Sequence, residues 1–212
     1  PARLVAEAQK AGLEALAITD HDTFGGYDMA AGPARDRGLD LVCAVEVGTV
    51  FARRDRPSIR HVHLLGYFLH GPPAGEFRAW LRTIQEGRRS RNFLLAERLR
   101  SLGLEVSLEE AEAIGRGLTG RPHFARLLVQ KGHAANVQDA FDRYLGPTGK
   151  ACVPRRAPAS VEAAARIRAA GGLAVLAHPG RWGANQAEVV PFLVRELIGP
   201  GLGGIEVYHS DH

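Results

Sequence analysis

Lysine is nearly missing from this 212-residue chain, which carries only Lys10, Lys131 and Lys150 among its 27 basic residues. Guanidinium therefore supplies almost all the positive charge, and it suits bidentate phosphate contacts. A net charge of +4 is too small to indicate a nucleic-acid binder by itself, and most of these arginines are expected to be solvated. Cysteine is scarcer still. Cys43 and Cys152 stand far apart and outside any CxxC pair, which argues against a disulfide framework and for two reduced thiols in a cytoplasmic protein. The sequence has no run of eighteen apolar residues and no basic, apolar, small-residue order at its start. Neither a membrane segment nor export is expected. Internal repeats and low-complexity tracts are missing, and no obligate protein partner is evident.

What the chain does have is apolar residues, at 45%, enough to bury a substantial core. Their spacing predicts a helix over 2–11 ended by Gly12, a buried strand over 13–19, and a helix over 24–37 ended by Gly38. Strands follow over 39–50 and 61–69, separated by a basic loop with Arg53, Arg54 and Arg56. This alternation predicts an α/β fold with a mostly parallel sheet or barrel over 1–73. Residues 74–171 read as a helical insertion, with helices near 75–101, 107–115, 122–131, 136–145 and 159–170. The barrel resumes over 172–212, with strands at 172–180 and 203–209 around a helix at 185–198.

Only five barrel strands are visible, whereas a closed barrel most often has eight. The chain opens inside a helix and stops just after a strand. A fragment is therefore expected, marginally folded and inactive or nearly so as it stands.

In parallel α/β architectures functional groups collect at the C-terminal ends of strands. His21 follows the first strand, Glu46 lies near the end of the second, His178 ends the fourth and His209 the last. His63 joins them although it sits early on its strand, and His61, two positions away, shares its strand face. Imidazole and carboxylate without thiolate suit Zn, Mn or Fe and leave positions open for water.

Seven ordered blocks, "LAITDHDTFGG", "VEVGT", "HLLGYF", "TGRPHFARLLV", "FDRYLG", "GGLAVLAHPGR" and "GIEVYH", resemble the PHP-domain phosphoesterases (polymerase and histidinol phosphatase type). The likeness is strongest to the subfamily of 3',5'-nucleoside bisphosphate phosphatases that also trim RNA 5' ends. It covers essentially the whole chain. The resemblance implies a distorted (β/α)7 barrel, here incomplete, and two or three divalent metal ions, with Mn first and Zn or Fe as alternatives. It implies His21, Glu46, His63 and His178 as ligands, Glu46 bridging. The family's opening "HxHS…SDG" and late "SDFH"-like motifs have no counterpart; Asp211 and His212 copy the second in composition and not in position. The implied substrate is a nucleoside 3',5'-bisphosphate losing its 3'-phosphate, or a short RNA 5' end. The alternatives are another PHP phosphatase of the histidinol-phosphate kind, which the helical insertion disfavours, and a non-catalytic phosphate- or nucleotide-binding module.

Arg88, Arg91 and Asn92 share a helical face by spacing, and the resemblance places substrate-binding residues in their region, while Arg89 points elsewhere and is retained as a further substrate-binding candidate. Arg121 and His123 stand at the start of a helix with Pro122 between them as its first residue, where free N–H groups and the helix dipole favour an anion. Arg181, three residues after His178, can reach the same rim. Asp20 and Asp22 read as residues that orient His21 or shape its turn, with capping of the next helix as the alternative, favoured for Asp22. Of Tyr208 and His209, one is expected to face the site, since neighbours on a strand alternate.

Overall fold

The computed structural model describes residues 1–52, 59–115, 119–154, 156–181 and 186–210. The basic loop of Arg53, Arg54 and Arg56, and Asp211 with His212, lie outside the described residues. Two compact units divide the chain, Pro1–Arg82 with Ala157–His212, and Thr83–Arg156.

The first unit is built on one five-stranded sheet in the order β1 (Ala15–Ile18), β2 (Asp40–Ala52), β3 (Ile59–Phe68), β4 (Leu173–Leu176) and β5 (Leu202–Ile205). The outer pairs β1–β2 and β4–β5 are parallel, but β2–β3 and β3–β4 are antiparallel. The sheet is thus mixed, which corrects the expectation of a mostly parallel one. The reason is chain length: only residues 53–58 separate β2 from β3, and a parallel return needs a crossover of a dozen residues or more.

Helices α1 (Ala2–Lys10) and α2 (Gly25–Arg35) bury Val5, Ala8, Ala30 and Ala34 in one cluster with Ile18 and Leu39. Gly12 and Gly38 follow them at φ +75° and +66°, a conformation that glycine reaches without strain. Alternation along β2 then separates two faces. Thr49 on one face donates to the Val62 carbonyl at 2.7 Å and lies 2.7 Å from the Ser160 hydroxyl at the start of α7 (Ser160–Ala169). Ile167 of α7 is fully buried, which stabilises the packing by about 1.5–3 kcal/mol. Its side chain is where a Cβ on Gly66 would touch at 3.4 Å, with Val45 as near. Even-numbered Glu46 and Gly48 face the other way, toward the site. The helix α8 (Gln186–Ile198) packs on β5 and α7.

Helix α3 (Gly75–Ser101) gives its first turns to this unit and the rest to the second. The second unit adds α4 (Leu108–Gly115), α5 (Arg121–Gln130) and α6 (Val137–Ala140), the last running into a π-helical turn over Phe141–Leu145. Its core holds Leu99, Phe124, Leu128 and Leu145, all essentially inaccessible to solvent. Local signals set the helix starts. Ser107 accepts the Glu110 N–H at 3.1 Å while Glu110 accepts that of Ser107 at 2.9 Å, a reciprocal cap on α4. Asn136 accepts the Asp139 N–H at 2.9 Å to open α6.

Candidate metal centre

The site begins with strand ends. Asp20 follows β1, and its carbonyl accepts the Glu46 N–H at 3.1 Å, while the Glu46 carbonyl accepts the Asp22 N–H at 2.8 Å. These bonds extend the parallel pairing by one bridge and set His21 beside Glu46. On the antiparallel side Gly48 is opposite His63 and Glu46 opposite Leu65, so Glu46 and His63 share a face. This explains why His63 sits early on its strand: in an antiparallel neighbour the first half lies beside the end of β2. His61 is opposite Val50 and exposed. His178 follows β4.

The donor atoms converge. His63 Nδ1 lies 2.5 Å from Glu46 Oε1, His178 Nε2 lies 3.1 Å from that oxygen, and the two ring nitrogens are 3.2 Å apart. His21 Nδ1 is 3.8 Å from Glu46 Oε2. His21, Glu46 and His63 each bring one ligand atom within 4.8 Å of the others. Two imidazole nitrogens and a carboxylate oxygen turned toward one point share lone pairs that a cation between them reconciles, and N/O donors of this kind fit a borderline or hard divalent ion. Glu46 responds to its neighbours. Burial pushes its pKa up, but the His63 hydrogen bond, the electrostatic influence of the His21 and His63 rings, and the His178 hydrogen bond outweigh it and hold the group at about 2. It remains a carboxylate at any physiological pH.

Around this centre the two aspartates divide the work differently from the expectation. Asp20 Oδ2 accepts the Gly26 N–H at 2.9 Å, at the start of α2. Asp22 is wholly buried at φ +55° and accepts the N–H of Gly48, on β2, at 2.9 Å. The His209 ring centroid lies 5.5 Å from that of His178, and Tyr208 is 93% exposed, so His209 is the one turned toward the histidine cluster. Arg181 is exposed in the short turn after His178, its N–H reaching the His178 carbonyl at 3.2 Å. Sequence reasoning missed Glu206, whose Oε2 accepts the backbone N–H of His178 at 2.6 Å. The only signal was an acid inside the apolar run "GIEVY".

The remaining candidates belong to the second unit. Arg91 and Asn92 are buried and Arg88 partly so, and Asn92 donates to the Thr119 carbonyl at 2.8 Å. Arg89 is engaged on the exposed surface by Glu112 at 2.9 Å. Arg121 donates to the Leu145 carbonyl at 3.3 Å, and His123 Nδ1 accepts the Gly120 N–H at 3.0 Å. Burial, and after it the charge of Arg126, hold the His123 pKa below its ordinary value. The first free N–H of α5 is therefore closed by its own histidine.

No family model matches the chain. It is 34% identical over 184 residues to a 5'-3' exoribonuclease of Haemophilus influenzae, covering 86% of this chain and 64% of that protein. It is 30% identical over 214 residues to a 3',5'-nucleoside bisphosphate phosphatase of Chromobacterium violaceum, covering 100% of this chain and 72% of the relative. Among solved structures, one from Bifidobacterium adolescentis described as a metal-dependent phosphoesterase superposes with a TM-score of 0.75 at 29% identity, over 99% of this chain and 72% of the other. The chain thus spans about two thirds of the length of the proteins it matches.

Proposed function

Because the chain belongs to the phosphoesterase family of the Chromobacterium violaceum bisphosphate phosphatase, we propose that the protein it represents is a PHP-type, metal-dependent phosphoesterase. Its substrate is a nucleoside 3',5'-bisphosphate, which loses the 3'-phosphate, or a short RNA trimmed from its 5' end. The observation that carries this reading is the convergence of His21, Glu46, His63 and His178 at neighbouring strand ends. They would hold two or three divalent ions, Mn first and Zn or Fe as alternatives. A bound divalent ion acidifies water and offsets charge on phosphoryl oxygens.

The chain's own residues do the rest. Glu46 directs Oε1 toward His63 and His178 and Oε2 toward His21, which suits a carboxylate that bridges two ions. Arg88, Arg89, Arg91, Arg121 and Arg181 are proposed to bind a substrate phosphate. The five-stranded sheet, with its functional groups along one rim, supports a distorted (β/α)7 barrel for the protein as a whole. Free thiols at Cys43 and Cys152 suit a reducing, cytoplasmic setting, and no helix among the described residues is long and apolar enough to cross a membrane.

The test is release of phosphate from adenosine 3',5'-bisphosphate with Mn present. We expect turnover that a chelator abolishes, with histidinol phosphate a poor substrate. Glu46→Gln should lower both bound metal and turnover by orders of magnitude, since a neutral amide cannot balance two cations. Undiminished hydrolysis in a metal-free preparation would rule the reading out.

A further inference from the structure

Metal-binding histidines are usually oriented through the ring nitrogen that does not face the metal. His178 lacks that support. Its Nε2 faces Glu46 and His63, whereas its Nδ1 is buried with no hydrogen-bond partner among the described residues. The backbone is also in an unfavourable place. His178 has φ +31°, in a region that few non-glycine residues occupy, and it precedes Pro179, which biases its predecessor toward extended conformations. Such a conformation persists only where surrounding contacts over-determine it.

One contact does so from another strand. Glu206 directly follows β5, and its own N–H donates to the Leu176 carbonyl at 2.9 Å, which continues the β4–β5 pairing past its last register pair. Its Oε2 then accepts the His178 N–H at 2.6 Å. We infer that Glu206 is a positioning residue, whose carboxylate clasps the His178 backbone in its left-handed turn and so aims Nε2 at the metal centre. The inference rests on the proposed function, because the orientation has a purpose only if His178 is a ligand. Glu206 acts through His178 and needs no contact with metal or substrate.

The experiment compares Glu206→Gln with Glu206→Leu in the full protein, titrated with Mn and with Co, the latter followed by its visible absorption bands. The glutamine oxygen can accept the same N–H, whereas leucine cannot. We expect Glu206→Gln to keep metal affinity within about threefold, with an unchanged cobalt spectrum, and Glu206→Leu to lose roughly 10–100-fold with altered bands. In the metal-free protein, the short Glu206 bond should shift the His178 amide proton downfield, a shift that the glutamine variant keeps and the leucine variant loses. A glutamine variant as defective as the leucine one would overturn the inference, since it would make the charge essential and Glu206 a ligand. A leucine variant matching wild type would overturn it too. His178→Ala separates the two claims: unchanged metal binding there refutes His178 as a ligand, whatever Glu206 does.

Discussion

Asp20 and Asp22 flank the same histidine, yet one serves a helix and the other a strand. The sequence favours Asp22 as the helix cap, because it is nearer the first helical residue. In the folded chain Asp20 reaches the Gly26 N–H, and the room for it exists because Gly26 has no side chain; a Cβ there would sit 2.2 Å from Asp20 Oδ2 and 2.7 Å from Ile18 Cγ2. Asp22 turns inward and ties the loop that carries His21 to Gly48 of β2. Spacing cannot distinguish these roles, since both aspartates lie within reach of a helix start and the choice goes with the left-handed backbone at Asp22 itself. Asp22→Asn retains an acceptor and tolerates positive φ, so its loss of stability should be under about 1 kcal/mol. Asp22→Val strands a buried N–H and puts a β-branched residue at φ +55°, which together cost roughly 2–4 kcal/mol. Urea unfolding of the two variants measures the difference, and equal midpoints would show that the Gly48 bond does not hold the loop.

At the scale of elements, helices were the most legible part, because their apolar spacing and glycine stops are local. The helix expected over 75–101 is α3, residue for residue, and the i, i+3 reasoning that separated Arg91 and Asn92 from Arg89 matches their burial and its exposure. Strand direction was less legible. Alternating elements suggested parallel pairing, although the short 53–58 connection contained the contrary information, and the antiparallel β3 is what brings His63 to Glu46. Glu206 was illegible for a related reason: an acid at a strand end reads as solvated until the neighbouring strand supplies the N–H it accepts. The start of α5 gives a pH prediction. His123 must keep Nδ1 unprotonated to accept the Gly120 N–H, and burial sets its folded pKa below the unfolded value of about 6.5. Below pH 6.5 the unfolded chain therefore binds more protons, so this contribution is fully present above that pH and is lost as pH falls toward the folded value. His123→Gln, which keeps an acceptor and does not titrate, should unfold with a flatter pH dependence than wild type between pH 7.5 and 5. Parallel curves would mean that His123 does not cap the helix as a neutral base.

For the whole molecule, the chemistry-bearing side chains of the metal centre lie in one compact unit, and the other unit has an apolar core of its own. The sequence reading places a helical insertion over 74–171, from the long absence of strands after residue 74. It could not show that α7, which continues the helical pattern, packs on β2, β3 and β4 in the first unit, because helical periodicity does not say which surface a helix will cover. Separate cores imply separate sensitivity to cavities. Leu128 is fully buried among Leu99, Phe124 and Leu145, so Leu128→Ala should destabilise the Thr83–Arg156 unit by about 2–5 kcal/mol. The donor atoms of His21, Glu46, His63 and His178 are held by strand register and by the Asp20, Asp22 and Glu206 bonds, none of which involves that unit. Manganese affinity should accordingly stay within about twofold of wild type while hydrogen exchange accelerates in α5 and the π-helical turn. A large loss of metal binding in Leu128→Ala, under conditions where both units remain folded, would show that the centre depends on packing outside its own sheet.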